Sequence, residues 1–166
     1  AWAPFVLEYG AIAVGLVFFG WGLCLALAGV FLAPKLAARL GEVQTTILSV
    51  VCYAVLLVVM AVGSKPLIVI AVVLSGFCSG VLNALFTGIA MSVSNAPRSV
   101  ASAGYNFCRW LGGALAATLV GHVADLLGAQ SPFAVGAALC VIAAVLLSLQ
   151  RRSAATAPEK ATAKAS

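Results

Sequence analysis

Charged side chains are sparse enough along this chain to act as its punctuation. Uncharged stretches run from Tyr9 to Pro34, Val43 to Ser64, Pro66 to Pro97, Trp110 to Ala124 and Leu126 to Gln150. A helix crosses the hydrocarbon core of a bilayer with about 20 mostly apolar residues. The runs meet that length, the fourth once the single interruption at Arg109 is bridged. Backbone groups in lipid must bond within their own segment or in a closed barrel. These runs lack the two-residue alternation of barrel strands, so they predict helices. The expected spans are 10–33, 44–62, 66–94, 98–127 and 131–150. Residues 1–9 form an outer segment, and 151–166 form a disordered basic tail.

Small residues distinguish these helices from one another, because helices in lipid associate by close approach through Gly, Ala, Ser and Thr. The first carries Ala11, Gly15, Gly22, Ala26, Gly29 and Ala33 on one face, and the third carries Gly76, Gly80, Ala84 and Gly88 at four-residue intervals. The fourth carries Ser102, Gly112, Gly113, Ala116, Ala117 and Gly121. These three helices call for close neighbours. The second, Ile47 to Val62, has bulky side chains on nearly every face and no internal glycine. It is expected to face lipid, with the fifth also at the periphery.

Composition removes the soluble alternative: 64% of residues are hydrophobic and 8% charged, with a mean hydropathy of +1.18, far outside the range of soluble domains. Charge then supplies an orientation. Lys35 and Arg39 flank the first turn, Arg98 the third, and Arg151, Arg152, Lys160 and Lys164 the tail, so seven of the nine basic residues share one side. Short basic loops stay cytoplasmic, which places the N-terminus outside and the tail inside. The net charge of +5 fits retention against anionic lipid and not nucleic-acid binding. Ala1 to Tyr9 has no basic region before its apolar run and is not a signal peptide. The sequence is expected to be a fragment whose preceding helix is missing. Cys24, Cys52, Cys78, Cys108 and Cys140 fall one per helix without metal-ligand spacing, so neither disulfides nor a metal site is expected, and no cofactor.

Polar groups inside lipid are costly and mark function. Ser75, Ser79, Asn83 and Thr87 recur at four-residue spacing beside the glycines of the third helix. They suit a substrate path in which an uncharged or cationic amphiphile touches Ser79, Asn83, Phe86 and Thr87. The alternative is that the hydroxyls bond their own or a neighbouring helix. Arg109 lies inside the fourth helix on the face of Ser102, Tyr105 and Gly112. It is expected to pair with a carboxylate or helix terminus of a missing helix and hold a gate shut, or else to snorkel to the headgroups. His122 and Asp125 stand three apart, a spacing that allows a proton-responsive ion pair. An intramembrane protease using Ser79 and His122 is excluded by a depth mismatch of roughly 10 Å. No H-E-x-x-H or nucleophile-elbow sequence occurs either.

Two stretches carry a resemblance. Gly29-Val-Phe-Leu-Ala-Pro-Lys-Leu-Ala-Ala-Arg-Leu-Gly41 resembles the second copy of the basic cytoplasmic loop of the major facilitator superfamily, without its acidic residue and terminal basic pair. Ala96-Pro-Arg-Ser-Val-Ala-Ser-Ala-Gly-Tyr-Asn-Phe-Cys-Arg-Trp-Leu-Gly-Gly-Ala114 resembles the tenth-to-eleventh turn and eleventh helix of its bacterial drug-proton antiporters. The fourth helix lacks the Gly-Pro pair of the exporters' fifth, so the resemblance implies helices eight to twelve. It implies an all-α integral membrane fold, five helices of a C-terminal six-helix bundle in the bacterial inner membrane. The function implied is proton-coupled efflux of drug-like or other small amphiphilic molecules by alternating access. Gly15, Gly22, Gly29, Arg109, Gly112 and Gly113 would meet the missing N-terminal helices. The other partners would be lipid, protons and a small-molecule substrate, with the coupling carboxylates in the missing half. The alternative is a complete small membrane protein that binds partner helices as an assembly or regulatory subunit.

Overall fold

A computed structural model of the chain describes residues 10–93 and 97–162; the expected outer segment 1–9 lies outside the described residues, as do 94–96 and 163–166. The described residues form five long helices and no strand: α1 (Ala11–Leu40), α2 (Glu42–Val62), α3 (Lys65–Val93), α4 (Arg98–Leu127) and α5 (Ser131–Thr162). Each carries a segment long and apolar enough to cross a membrane. The fold is all-α, and short connections run it up and down.

The first helix does not stop at residue 33 as expected. Pro34 has no N–H to donate, and its ring crowds the carbonyl four residues back. The helix absorbs this by widening into a π-turn over Ala28–Leu32, where the Ala33 N–H reaches the Ala28 carbonyl, five residues back. Such π-turns let a helix pass a local obstruction without ending. It continues through Lys35 and Arg39 to Leu40 and ends at Gly41, whose φ of 84° suits a residue without a Cβ. The basic stretch between the first two spans is therefore mostly helix, with one residue as the turn.

The second helix corrects a further expectation. One face, including Thr45, Thr46, Ser49, Val50, Ala54 and Met60, is buried against α3 and α5. Leu48, Val51, Val55, Val58 and Val62 remain exposed along the other. Thr, Ser and Ala permit the close approach for which glycine was expected. The hydroxyls there are satisfied locally: Thr45 Oγ1 donates to the Gly41 carbonyl at 2.8 Å and Thr46 Oγ1 to that of Glu42 at 2.8 Å.

Two apolar clusters hold the bundle. Met60, Ile68, Ala71, Val72 and Phe133 join α2, α3 and α5 at the end away from the basic turns. Ala28, Ala33, Val81 and Leu85 join α1 and α3 nearer those turns. The fifth helix lies along the second. It also runs on to Thr162, so residues 151–162, expected to be disordered, extend the helix. The fourth helix stands apart: of its thirty residues Ala124 is the buried one.

Candidate functional site

Helices α1 and α3 approach closely, and the contact is made of absent side chains. A Cβ added at Gly76 would run into the Trp21 carbonyl oxygen, and one at Gly80 into that of Leu25, with Ala28 Cβ and the Gly29 nitrogen at 3.0 Å. Gly29 packs in turn against the Gly80 carbonyl, 3.4 Å from where its own Cβ would stand. This glycine, expected on the face toward the missing helices, is thus turned into the bundle. Gly15, Gly22, Gly112 and Gly113 differ, because an added Cβ at any of them meets nothing within 4 Å.

That seam fixes α3, and α3 presents the polar line. Its residues divide by what they bond. Ser75 is buried and donates to the Val72 carbonyl at 2.7 Å, and Thr87 donates to the Asn83 carbonyl at 2.7 Å. Both hydroxyls are spent on their own helix. Ser79 lies beside the Tyr53 side chain of α2. Asn83 alone reaches α4: its Oδ1 accepts a hydrogen bond from Arg109 Nη1.

Within the chain, Arg109 of α4 thus meets the polar line of α3, a contact the sequence did not predict. Asn83 and Arg109 each lie about 15 Å from the end of their helix at the α3–α4 turn, at about 1.5 Å per residue, so the pair sits well inside both spans. Arg109 Cζ also stands 5.6 Å from the centre of the Trp110 ring, within cation–π range. Arg109 remains exposed, and Phe86, one turn along α3 from Asn83, is 37% exposed. The arrangement is a fixed charge held by a neutral amide, with aromatic surface beside it.

His122 and Asp125 are not brought together as an ion pair. The imidazole turns back along its own helix, where Nδ1 donates to the Thr118 carbonyl at 3.2 Å. A backbone carbonyl one turn away competes with a carboxylate that spacing alone would favour.

A cleft of about 540 Å³ opens between α4 and the other helices. Phe18, Trp21, Tyr53, Met60, Phe133 and Cys140 line much of it, as do Gly113 and Ala116. Ser75 is the member of the polar line that reaches it; Ser79, Asn83, Phe86 and Thr87 do not line it. Its aromatic wall was missed in the sequence. Phe18 and Trp21 sit in an unbroken apolar run, and Tyr53 reads in the sequence as one more bulky side chain of α2.

The family model of the Major Facilitator Superfamily matches residues 2–166. The multidrug efflux protein YfmO of Bacillus subtilis (strain 168) is 34% identical over 154 residues, which cover 92% of this chain and 39% of that protein. The chain thus spans about two fifths of the length of this curated relative. No solved structure matches it.

Proposed function

Because the chain belongs to the major facilitator superfamily, we propose that its five spans are helices eight to twelve of a secondary transporter that expels small amphiphilic molecules from the bacterial cytoplasm. Multidrug efflux is the activity named for the relative. The observation that carries the reading is the open glycine face of α4, matched by open Gly15 and Gly22 on α1. Helices in lipid bring small residues together for close contact, and here Gly104, Gly112 and Gly121 on α4 and Gly15 and Gly22 on α1 meet no other part of the described chain and do not line its cleft. An N-terminal bundle of the same protein is the occupant that a two-bundle transporter supplies. Rocking of one bundle against the other would then give alternating access to a site near mid-membrane.

Coupling to protons would rest on residues outside this chain. None of the five apolar helices carries an acid in its interior, and Asp125 lies near the end of α4 without an ion pair to His122. This half would supply wall and gate in the inner membrane, with its C-terminal tail in the cytoplasm. The first test is the mass of the native protein, detected in its own membrane with an antibody against residues 151–166. A species more than about twice the size of this chain is expected from a chain built of paired bundles, and efflux by that species completes the case. A native species of this chain's own size overturns the reading and favours a small partner-binding subunit.

A further inference from the structure

Arg109 is a permanent positive charge inside an apolar helix, and the chain offers it no negative partner at that depth. Its four acids are Glu8, Glu42, Asp125 and Glu159. Glu42 begins α2, Glu8 precedes α1, and Glu159 falls beyond the apolar span of α5. Asp125 stands about 24 Å further along α4, at about 1.5 Å per residue. Intramembrane charges are expensive unless matched and mark substrate or ion pathways. The hydrogen bond that it donates to Asn83 Oδ1 orients this guanidinium but leaves its charge in place.

The same bond decides what the pair can recognise. Asn83 turns its acceptor, Oδ1, to Arg109, so its amide nitrogen is the group left for a third molecule. A guanidinium carries five N–H donors and no acceptor, and a carboxylate is the acceptor that its planar fork fits best. The pair therefore offers donors. Trp110 and the partly exposed Phe86 add flat apolar surface next to them.

We infer that Asn83 and Arg109 form a binding site for the anionic head of an aromatic or apolar amphiphile, a carboxylate being the chemistry that fits. The inference rests on the transporter reading and narrows its substrate class. It also reverses part of the sequence-based expectation, because a cationic amphiphile brought to Asn83 would meet the charge of Arg109.

The test uses the native-length protein in lipid nanodiscs and three labelled probes with one naphthyl body: 2-naphthoate, its methyl ester and 2-naphthyltrimethylammonium. Equilibrium dialysis is expected to show naphthoate bound at least about tenfold more tightly than the ammonium probe, as a charge-assisted fork implies. Arg109→Gln abolishes that preference while ester binding stays within about twofold, which also reports that the variant is folded. Arg109→Lys keeps the charge but not the fork and retains part of the preference. Asn83→Ala weakens naphthoate about threefold by freeing the guanidinium to wander. A preference that survives Arg109→Gln, an equal loss for all three probes, or no naphthoate bound above empty nanodiscs overturns the inference. Efflux of the methyl ester and the native mass judge the transporter reading separately, so either can fail while the other stands.

Discussion

The α1–α3 seam and the outer face of α4 begin from the same sequence signal and end in opposite states. Both are stripes of glycine and alanine at helical spacing. In the seam, Gly76 and Gly80 admit the carbonyl oxygens of Trp21 and Leu25 so closely that no side chain fits between. On the outer face of α4, an added Cβ at Gly104, Gly112 or Gly121 meets nothing within 4 Å. A small-residue stripe therefore says that a helix wants a close neighbour, not where that neighbour is. In the seam it lies within the chain; on α4 the described residues place nothing against Gly104, Gly112 or Gly121.

The largest effect should come from filling the seam. Gly80→Val pushes a branched side chain against backbone on α1, which yields only if the two helices separate. Overpacking of this kind costs about 1–3 kcal/mol and occasionally more, and the rigid obstacle puts Gly80→Val at the upper end, about 3 kcal/mol. The check is the thermal midpoint of the purified protein in detergent, with Gly76→Val behaving alike. Gly112→Val on α4 should leave that midpoint within the change expected of an open site, about 0.5 kcal/mol. If α4 faces the second bundle, the same substitution in the native-length protein should lower efflux severely. A Gly112→Val protein that melts normally and transports normally would remove the contrast between the two stripes.

How far the sequence foretold this arrangement depends on whether the deciding contact lies within one helix or between two. The five spans follow from apolar run length, which is local. That α3 wants a close neighbour followed from Gly76 and Gly80 at one-turn spacing, a property of α3 alone; that the neighbour is α1 did not. The course of α1 through Pro34 did not follow, because a proline reads equally as a stop or as a π-turn that other helices hold in place. The burial of α2 was misread because Thr45, Ser49 and Ala54 were weighed less than missing glycine. The contact between Asn83 and Arg109 was hidden for a deeper reason: both residues stood out singly, but their meeting depends on the rotation of α4 against α3, and no periodicity records that. His122 and Asp125 show the reverse, a spacing that permits a pair which the backbone carbonyl of Thr118 displaces.

A middle-sized effect is expected where α4 is tied to α3. Interhelical hydrogen bonds in membranes are worth about 0.6 kcal/mol on average, with a maximum of about 1.7 kcal/mol. A double-mutant cycle on Asn83→Ala and Arg109→Gln should therefore give a coupling of about 1 kcal/mol, above the mean because one partner is charged. The measurement is resistance to denaturant of the protein in mixed micelles. A coupling near zero would mean that the bond does not hold α4, and α4 would then differ from the seam in having no polar tie as well as no packing.

The smallest effect should fall on Thr87, and its smallness is informative. Thr87 shares the polar line with Asn83, but its hydroxyl donates to the Asn83 carbonyl at 2.7 Å, back along α3. Thr87→Val keeps the shape of the side chain and removes one donor whose acceptor already belongs to the helix ladder. The loss should be about 0.5 kcal/mol or less, the low end for a neutral hydrogen bond. Probe binding should be unchanged, whereas Asn83→Ala at the same spacing alters it. Equal effects at both positions would make the whole line a substrate path, as its periodicity suggests. Unequal effects assign recognition to the one residue whose side chain crosses to α4, because a polar group already satisfied by its own backbone has little left to offer a passing molecule.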